Sequence, residues 1–100
     1  MNDGVDLNRD VNGCLRLNPG VLWQVFGLRV VVLHLDRKCY YSFDEMGTQV
    51  WLILVAAENV EQGIQQIYEQ YDVNINQLRE DILSFCEHLS DLEIGQVETI

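Results

Sequence analysis

The spacing of the apolar residues changes once along this chain, and the change divides it into a strand half and a helix half. Tyr41 and Phe43 alternate with Ser42, which is the period of a strand with one buried face. Asp44 then stands where a helix needs a side-chain cap, and from Met46 onward the apolar positions recur every three or four residues. The pattern therefore predicts a small sheet covered by helices.

Three strands and three helices follow from this pattern. The strands are expected at residues 21–26, 29–35 and 39–43. The helices are expected at residues 44–57, 60–71 and 76–92. Because strands that follow one another through tight turns pair as neighbours, the sheet should be an antiparallel meander with the first and third strands as its edges. The predicted fold class is α+β, a three-stranded antiparallel sheet followed by three helices.

The middle strand and the two chain ends lead to further expectations. The middle strand is almost unbroken Val and Leu, which predicts a strand contacted on both faces. Residues 1–18 contain few apolar positions and are expected to form a flexible N-terminal lead-in. A chain of 100 residues suffices for a single core, so one folded domain is expected at residues 19–95. Residues 96–100 are expected to be a C-terminal tail.

The charge of the chain restricts its partners. Sixteen acidic residues against six basic ones give a formal net charge of −10, and from Asp44 onward the only lysine or arginine is Arg79. A protein that binds nucleic acid needs a basic face to neutralise phosphates, and an anionic membrane surface repels a chain this acidic. We therefore expect no nucleic-acid partner and no membrane partner, and a partner with some positive charge is favoured.

The N-terminus and the cysteines indicate a cytoplasmic location. A secretory signal peptide begins with basic residues, whereas this chain begins with acidic ones. The longest apolar run, at residues 21–35, is too short and too often interrupted by polar residues to cross a bilayer. The three cysteines are far apart and odd in number, which fits reduced thiols better than a disulfide framework.

No set of residues has the spacing of a catalytic or metal site. His34 lies in an apolar strand and His88 lies beside Glu87, and neither has a partner at metal-ligand spacing. The cysteines have no histidine at a recognisable spacing, and the glycines are scattered singly rather than grouped in a phosphate-binding loop. We therefore expect a protein that is not an enzyme and that needs no cofactor or metal.

The third strand is the feature most suited to binding. It has no charged side chain between Cys39 and Phe43, so its edge is not protected against pairing with another chain. Such an edge can accept an extended peptide by β-augmentation, or it can pair with a second copy of the chain in a homodimer. Both alternatives are open at this point.

Five segments follow one another in a recognisable order. They are Val30-Val31-Val32-Leu33-His34-Leu35-Asp36, Cys39-Tyr40-Tyr41-Ser42-Phe43-Asp44, Gly47-Thr48-Gln49-Val50-Trp51, Tyr68-Glu69-Gln70-Tyr71-Asp72-Val73, and Asp81-Ile82 with Phe85, Leu89 and Leu92. In this order they resemble the PqqD family over residues 19–94. The resemblance implies a winged-helix-like domain that recognises the leader segment of a ribosomally synthesised precursor peptide. The leader is expected to lie along the third strand as a fourth strand, in a groove walled by the third helix.

The resemblance also implies which residues bind the peptide. The strand wall would consist of Cys39, Tyr40, Tyr41, Ser42 and Phe43. The helix wall would consist of Leu78, Ile82, Leu83, Phe85 and Cys86. Asp81, with Glu80 beside it, would meet a basic residue of the leader.

The family pattern leaves the partner enzyme open. The tyrosine-rich strand and the short chain favour the members of lasso-peptide pathways, which hand the precursor to a separate leader peptidase. The alternative is a chaperone that serves a radical enzyme in a different peptide pathway. A winged-helix regulator that binds DNA is disfavoured, because the third helix carries many carboxylates and one arginine. A purely structural homo-oligomer that pairs through the free edge is the remaining hypothesis.

Overall fold

The structure is a computed structural model of the chain and describes residues 11–99. Within these residues the elements are, in chain order, β1 (Cys14–Leu17), β2 (Val21–Phe26), β3 (Arg29–His34), β4 (Cys39–Ser42), α1 (Glu45–Ala56), α2 (Val60–Gln70), α3 (Ile75–Asp91) and β5 (Gly95–Glu98). The predicted α+β class is confirmed. Each predicted strand and helix is present, and its ends lie within one residue of the expected ones.

The main sheet is the predicted antiparallel meander, in the order β2-β3-β4. Gly27 and Leu28 form the two-residue turn between β2 and β3, and Gly27 has a φ of 64°, as the first central residue of a type II′ turn requires. The hydrogen-bond ladder between β3 and β4 ends at Ser42, because the backbone N–H of the next β3 residue bonds to a helix instead of to β4. Phe43 N–H still donates to Val30 O at 3.3 Å, but Val30 N–H donates to the Thr48 hydroxyl of α1 at 2.8 Å.

β3 differs from the sequence prediction in one respect, because it is covered on one face only. Val30, Val32 and His34 face the helices and are buried, whereas Arg29 and Leu33 on the opposite face are exposed. The run of Val and Leu predicted a strand contacted on both faces. The helices that cover the sheet, α1 and α3, instead pack on a single face of it, and the other face has no covering layer among residues 11–99.

The structure also differs from the predicted lead-in and tail. β1 and β5 form a second, two-stranded antiparallel sheet, in which Cys14 lies opposite Glu98 and Leu17 lies opposite Gly95. The reason is burial: Val97 is almost completely enclosed, and Leu15 packs against the same core. Residues 1–10 of the lead-in and residue 100 of the tail lie outside the described residues.

Two groups of buried side chains fill the space between the layers. The first holds the three helices and β5 together and consists of Val50, Leu54, Val60, Ile64, Ile67, Ile82, Leu83, Cys86 and Val97. The second joins the sheet to the helices and consists of Val30, Val32, Trp51, Leu89 and Ile94. α1 takes part in both, because Val50 and Leu54 face the first group and Trp51 faces the second. The Trp51 ring lies 5.7 Å from Trp23 and 5.9 Å from Phe43, measured between ring centroids.

Candidate functional site

β4 is an edge strand, and within residues 11–99 no strand pairs with its outer side. In an antiparallel pair, successive residues direct their backbone N–H and C=O groups alternately toward and away from the neighbouring strand. Phe43 N–H bonds to Val30, so Tyr41 and Cys39 also direct their backbone groups toward β3. The N–H and C=O groups of Tyr40 and Ser42 therefore point outward, where a further strand can bind them.

The side chains of β4 alternate between the two faces of the sheet, as the sequence predicted. Tyr40 and Ser42 lie on the open face and are exposed, whereas Cys39 and Tyr41 are half-buried on the helix side. The Cys39 thiol donates to the Tyr41 hydroxyl oxygen at 3.3 Å. The helix side of the β4 edge therefore presents the apolar ring of Tyr41 together with a polar thiol–hydroxyl pair.

Phe43 connects the edge of the sheet to α3. Its ring packs edge-on against Phe85 of α3, with 5.5 Å between the ring centroids. Asp44 follows it and caps α1, because its carboxylate accepts the Gly47 N–H at 2.7 Å. The cap therefore starts α1 directly after the edge strand and its Phe43–Phe85 contact.

An apolar groove of about 530 Å³ opens beside this Phe43–Phe85 contact. Its walls come from the start of α1, the end of α2, the α2–α3 link and the first half of α3. The lining residues are Met46, Gly47, Val50, Ile67, Tyr71, Val73, Asn74, Gln77, Leu78, Asp81, Ile82 and Phe85. Met46 and Val73 are among the large apolar side chains that remain exposed, so the rim of the groove still has apolar surface to bury.

The polar groups of the groove are few, and the charged one is acidic. Gln77 donates to the Asp81 carboxylate at 2.9 Å, and this bond fixes the carboxylate at the rim. Asn74 caps α3 by accepting the N–H groups of Asn76 and Gln77. Because no lysine or arginine lines the groove, its electrostatic potential favours a neutral or cationic occupant.

The groove includes some of the predicted helix-wall residues and excludes others. Leu78, Asp81, Ile82 and Phe85 line it. Leu83 and Cys86 are instead buried in the core group that contains Val97, because β5 packs on that side of α3. Leu83 and Cys86 form a second apolar stripe on α3, next to that of Leu78, Ile82 and Phe85, and this second stripe packs against a strand that the sequence did not predict. Burial, and next the charge of Glu87, raises the pKa of the Cys86 thiol to about 12.

The sequence prediction also missed part of the groove. Met46, Ile67, Tyr71 and Val73 come from α1, α2 and the link, none of which had been assigned to the site. Met46 offered a signal for the groove. It lies four residues before Val50 on the same apolar stripe of α1, but in the first turn of the helix, where the core does not cover it. None of the strand-wall residues lines the groove, although Phe43 packs against its lining residue Phe85, and the role of these residues in binding stays a prediction.

The part of the chain that the structure describes contains neither a metal-binding cluster nor a membrane-spanning helix. No group of three or more His, Cys, Asp and Glu side chains within residues 11–99 could hold a metal ion. None of the described helices is long and apolar enough to cross a membrane.

Comparisons with known proteins give one family and two similar structures. The family described as Coenzyme PQQ synthesis protein D (PqqD) matches residues 29–94, which contain β3, β4 and all three helices. One similar solved structure is TbiB1 in complex with the TbiA(beta) leader peptide, with a TM-score of 0.75 and 24% identity over 80% of this chain and 93% of that one. Another is lasso peptide synthetase B1 complexed with the leader peptide, with a TM-score of 0.74 and 16% identity over 81% of this chain and 95% of that one. No curated protein sequence matches the chain.

Proposed function

The chain belongs to the PqqD family, and on that premise we propose that it is an adaptor without catalytic activity that binds the leader segment of a ribosomally synthesised precursor peptide. The leader binds as a fourth strand along the outer edge of β4. The adaptor then delivers the precursor to a separate modifying enzyme, with a lasso-peptide leader peptidase favoured over a radical enzyme. The observation that carries the proposal is the unpaired edge of β4 beside an apolar groove. Two solved proteins of similar fold that hold leader peptides support it.

Backbone hydrogen bonds give the site its affinity for any extended chain. A fourth strand lies about 4.8 Å from β4 and pairs with the outward N–H and C=O groups of Tyr40 and Ser42. Each such bond contributes about 0.5–1.5 kcal/mol net, because the free groups are hydrogen-bonded to water before binding. These bonds do not depend on the peptide's side chains, so they cannot by themselves select a sequence.

Side chains of the leader that point toward the helices provide the selection. They pass the Phe43–Phe85 contact and reach the apolar groove, where Met46 and Val73 offer exposed apolar surface. Burying two large apolar side chains there contributes about 3–6 kcal/mol before the ordering of the peptide is subtracted. A basic leader residue placed near Asp81 adds a charge-assisted contact at the rim. Together with the strand pairing, these contributions are compatible with micromolar binding or tighter.

Fluorescence polarisation tests this proposal. Labelled leader peptides from short reading frames beside the gene are titrated with the purified protein, and saturable binding at a few micromolar or below is expected for one of them. Tyr40→Pro removes an outward N–H and should weaken binding at least about tenfold, while Tyr40→Ala, which keeps the backbone donor, should weaken it much less. If both folded variants bind equally well, strand addition at Tyr40 is wrong. If no candidate leader binds the folded protein, the proposed function itself fails.

A further inference from the structure

The open face of the main sheet carries an apolar surface outside the leader groove, and it shares with the proposed leader site the edge residue Tyr40, whose backbone would pair with the leader. Leu22, Leu33 and Tyr40 lie side by side across the three strands, and they are 56%, 43% and 71% exposed. Leu35 lies next to this row, just after β3, whereas Phe26 and Leu28 lie at the β2–β3 turn, beyond Gln24 and Val31; all three are exposed as well. We name these six residues the open-face patch. An antiparallel sheet with one solvated face usually places polar residues there, and an exposed apolar row such as Leu22, Leu33 and Tyr40 marks an interaction site.

A small pocket gives the open-face patch a specific shape. A cavity of about 240 Å³ lies at the β3–β4 turn, with Leu33, Leu35 and Tyr40 among its lining residues and Lys38 at its side. Lys38 has a φ of 55°, a left-handed conformation that fixes the turn after Leu35. The pocket has room for one apolar side chain, and a carboxylate next to that side chain would meet Lys38.

The charges around the patch differ in sign from those of the rest of the chain. Residues 19–43 contain three basic residues and one acidic residue, whereas residues 44–100 contain twelve acidic residues and one basic residue. Arg29 and Lys38 stand at opposite ends of the patch, and neither forms an ion pair with another residue in the range 11–99. The third basic residue, Arg37, already has a partner: its guanidinium donates to the carbonyl oxygen of Leu92, next to the end of α3, at 2.9 Å. The sheet side is therefore basic and apolar, and the helix side is acidic.

We propose that the open-face patch is the docking surface for the modifying enzyme, which presents an apolar side chain to the pocket and carboxylates to Arg29 and Lys38. A second copy of this chain fits less well, because two copies joined through this face bring basic residues against basic residues. The inference rests on the proposed function, since it names the partner of the same adaptor. The leader's groove lies among the helices, on the side of the sheet away from the patch, and the two sites meet at Tyr40, so the adaptor can hold the leader and the enzyme together.

The test measures the two binding events separately. The leader's dissociation constant comes from fluorescence polarisation, and that of the enzyme encoded beside the gene comes from calorimetry with the leader-bound adaptor. Leu22→Glu changes the patch on β2, the strand farthest from the leader edge, and Arg29→Glu reverses the charge at the end of the patch where β3 begins. Each should weaken enzyme binding at least about tenfold and leave leader binding within about twofold. Tyr68→Glu replaces an exposed apolar residue of α2 and serves as the matched control, with both constants unchanged.

Each other outcome overturns the inference. Enzyme binding that is insensitive to Leu22→Glu and Arg29→Glu would place the interface elsewhere, and an enzyme that never binds the leader-bound wild type would remove the partner. Sedimentation of the adaptor alone would assign the patch to a second copy if Leu22→Glu abolished a dimer. Sedimentation with phosphatidylglycerol vesicles would assign it to a membrane if the wild type bound and Leu22→Glu did not. If the folded wild type binds no candidate leader, the proposed function is refuted instead.

Discussion

At the scale of single residues, the three thiols differ because their surroundings differ. Cys86 is fully enclosed in the helical core, whereas Cys14 and Cys39 are half-buried at strand positions. The sequence predicted Cys86 as part of the peptide wall, since it lies on an apolar stripe of α3. A stripe does not reveal which neighbour covers it, and here that neighbour includes β5, whose pairing partner lies near the other end of the chain.

Cys86 gives a prediction for alkaline pH. Its pKa is raised from 9.0 to about 12 by burial. Between these values the unfolded chain loses the thiol proton and the folded chain keeps it, so this group lowers the free energy of unfolding by about 1.4 kcal/mol per pH unit. The stability advantage of the wild type over Cys86→Ala, measured by urea unfolding, should therefore shrink as the pH rises above 9.0. A difference that stays constant up to pH 11 would contradict the burial of this thiol.

Asp81 gives a prediction about selectivity. Its exposed carboxylate at the groove rim should attract a basic residue of the leader, so Asp81→Lys should weaken binding about tenfold, mainly at low salt. Glu69→Lys makes the same change of net charge on an exposed residue of α2 outside the groove and is the control. Fluorescence polarisation at low and high salt measures both. Equal effects of the two variants would mean that only the net charge matters.

At the scale of elements, long periodic segments were predictable and short ones were not. The strand pattern before Asp44 and the three-to-four-residue spacing of apolar positions after it placed the ends of β2, β3, β4 and the three helices to within one residue. β1 and β5 have four residues each and gain their stability from a partner far away in sequence, so no local pattern identifies them. The uncovered face of β3 was missed for a related reason: a run of Val and Leu does not tell whether one layer or two will cover it.

Thr48 connects two of these elements, and this contact is testable. Its buried hydroxyl accepts the Val30 N–H, which fastens α1 to β3 at the end of the β4 ladder. Thr48→Val has a similar volume but leaves that N–H buried without an acceptor, and should lower the free energy of unfolding by about 1–3 kcal/mol. Thr48→Ser keeps the acceptor and should cost less than Thr48→Val. Urea unfolding measures both variants, and a less stable Thr48→Ser would argue that the methyl group matters more than the hydrogen bond.

At the scale of the whole molecule, the fold leaves two unlike surfaces on opposite faces of one sheet. The helix side combines an acidic rim with the apolar groove, and the open side combines apolar residues with Arg29 and Lys38. The net charge of −10 conceals this division, which becomes visible only when the sheet and helix segments are considered separately. Under the proposed function and the inference drawn from the open-face patch, the protein is a connector whose two surfaces bind different partners.

The central claim is that a leader peptide becomes the fourth strand of the sheet, and amide hydrogen exchange measured by NMR tests it most directly. Tyr40 and Ser42 direct their N–H groups outward, so in the free protein these amides should exchange quickly. Saturation with the leader should protect both, because each then donates to the added strand, while the Tyr41 amide, which already faces β3, should change little. A leader that binds tightly without slowing the exchange of the Tyr40 and Ser42 amides would contradict strand addition at β4.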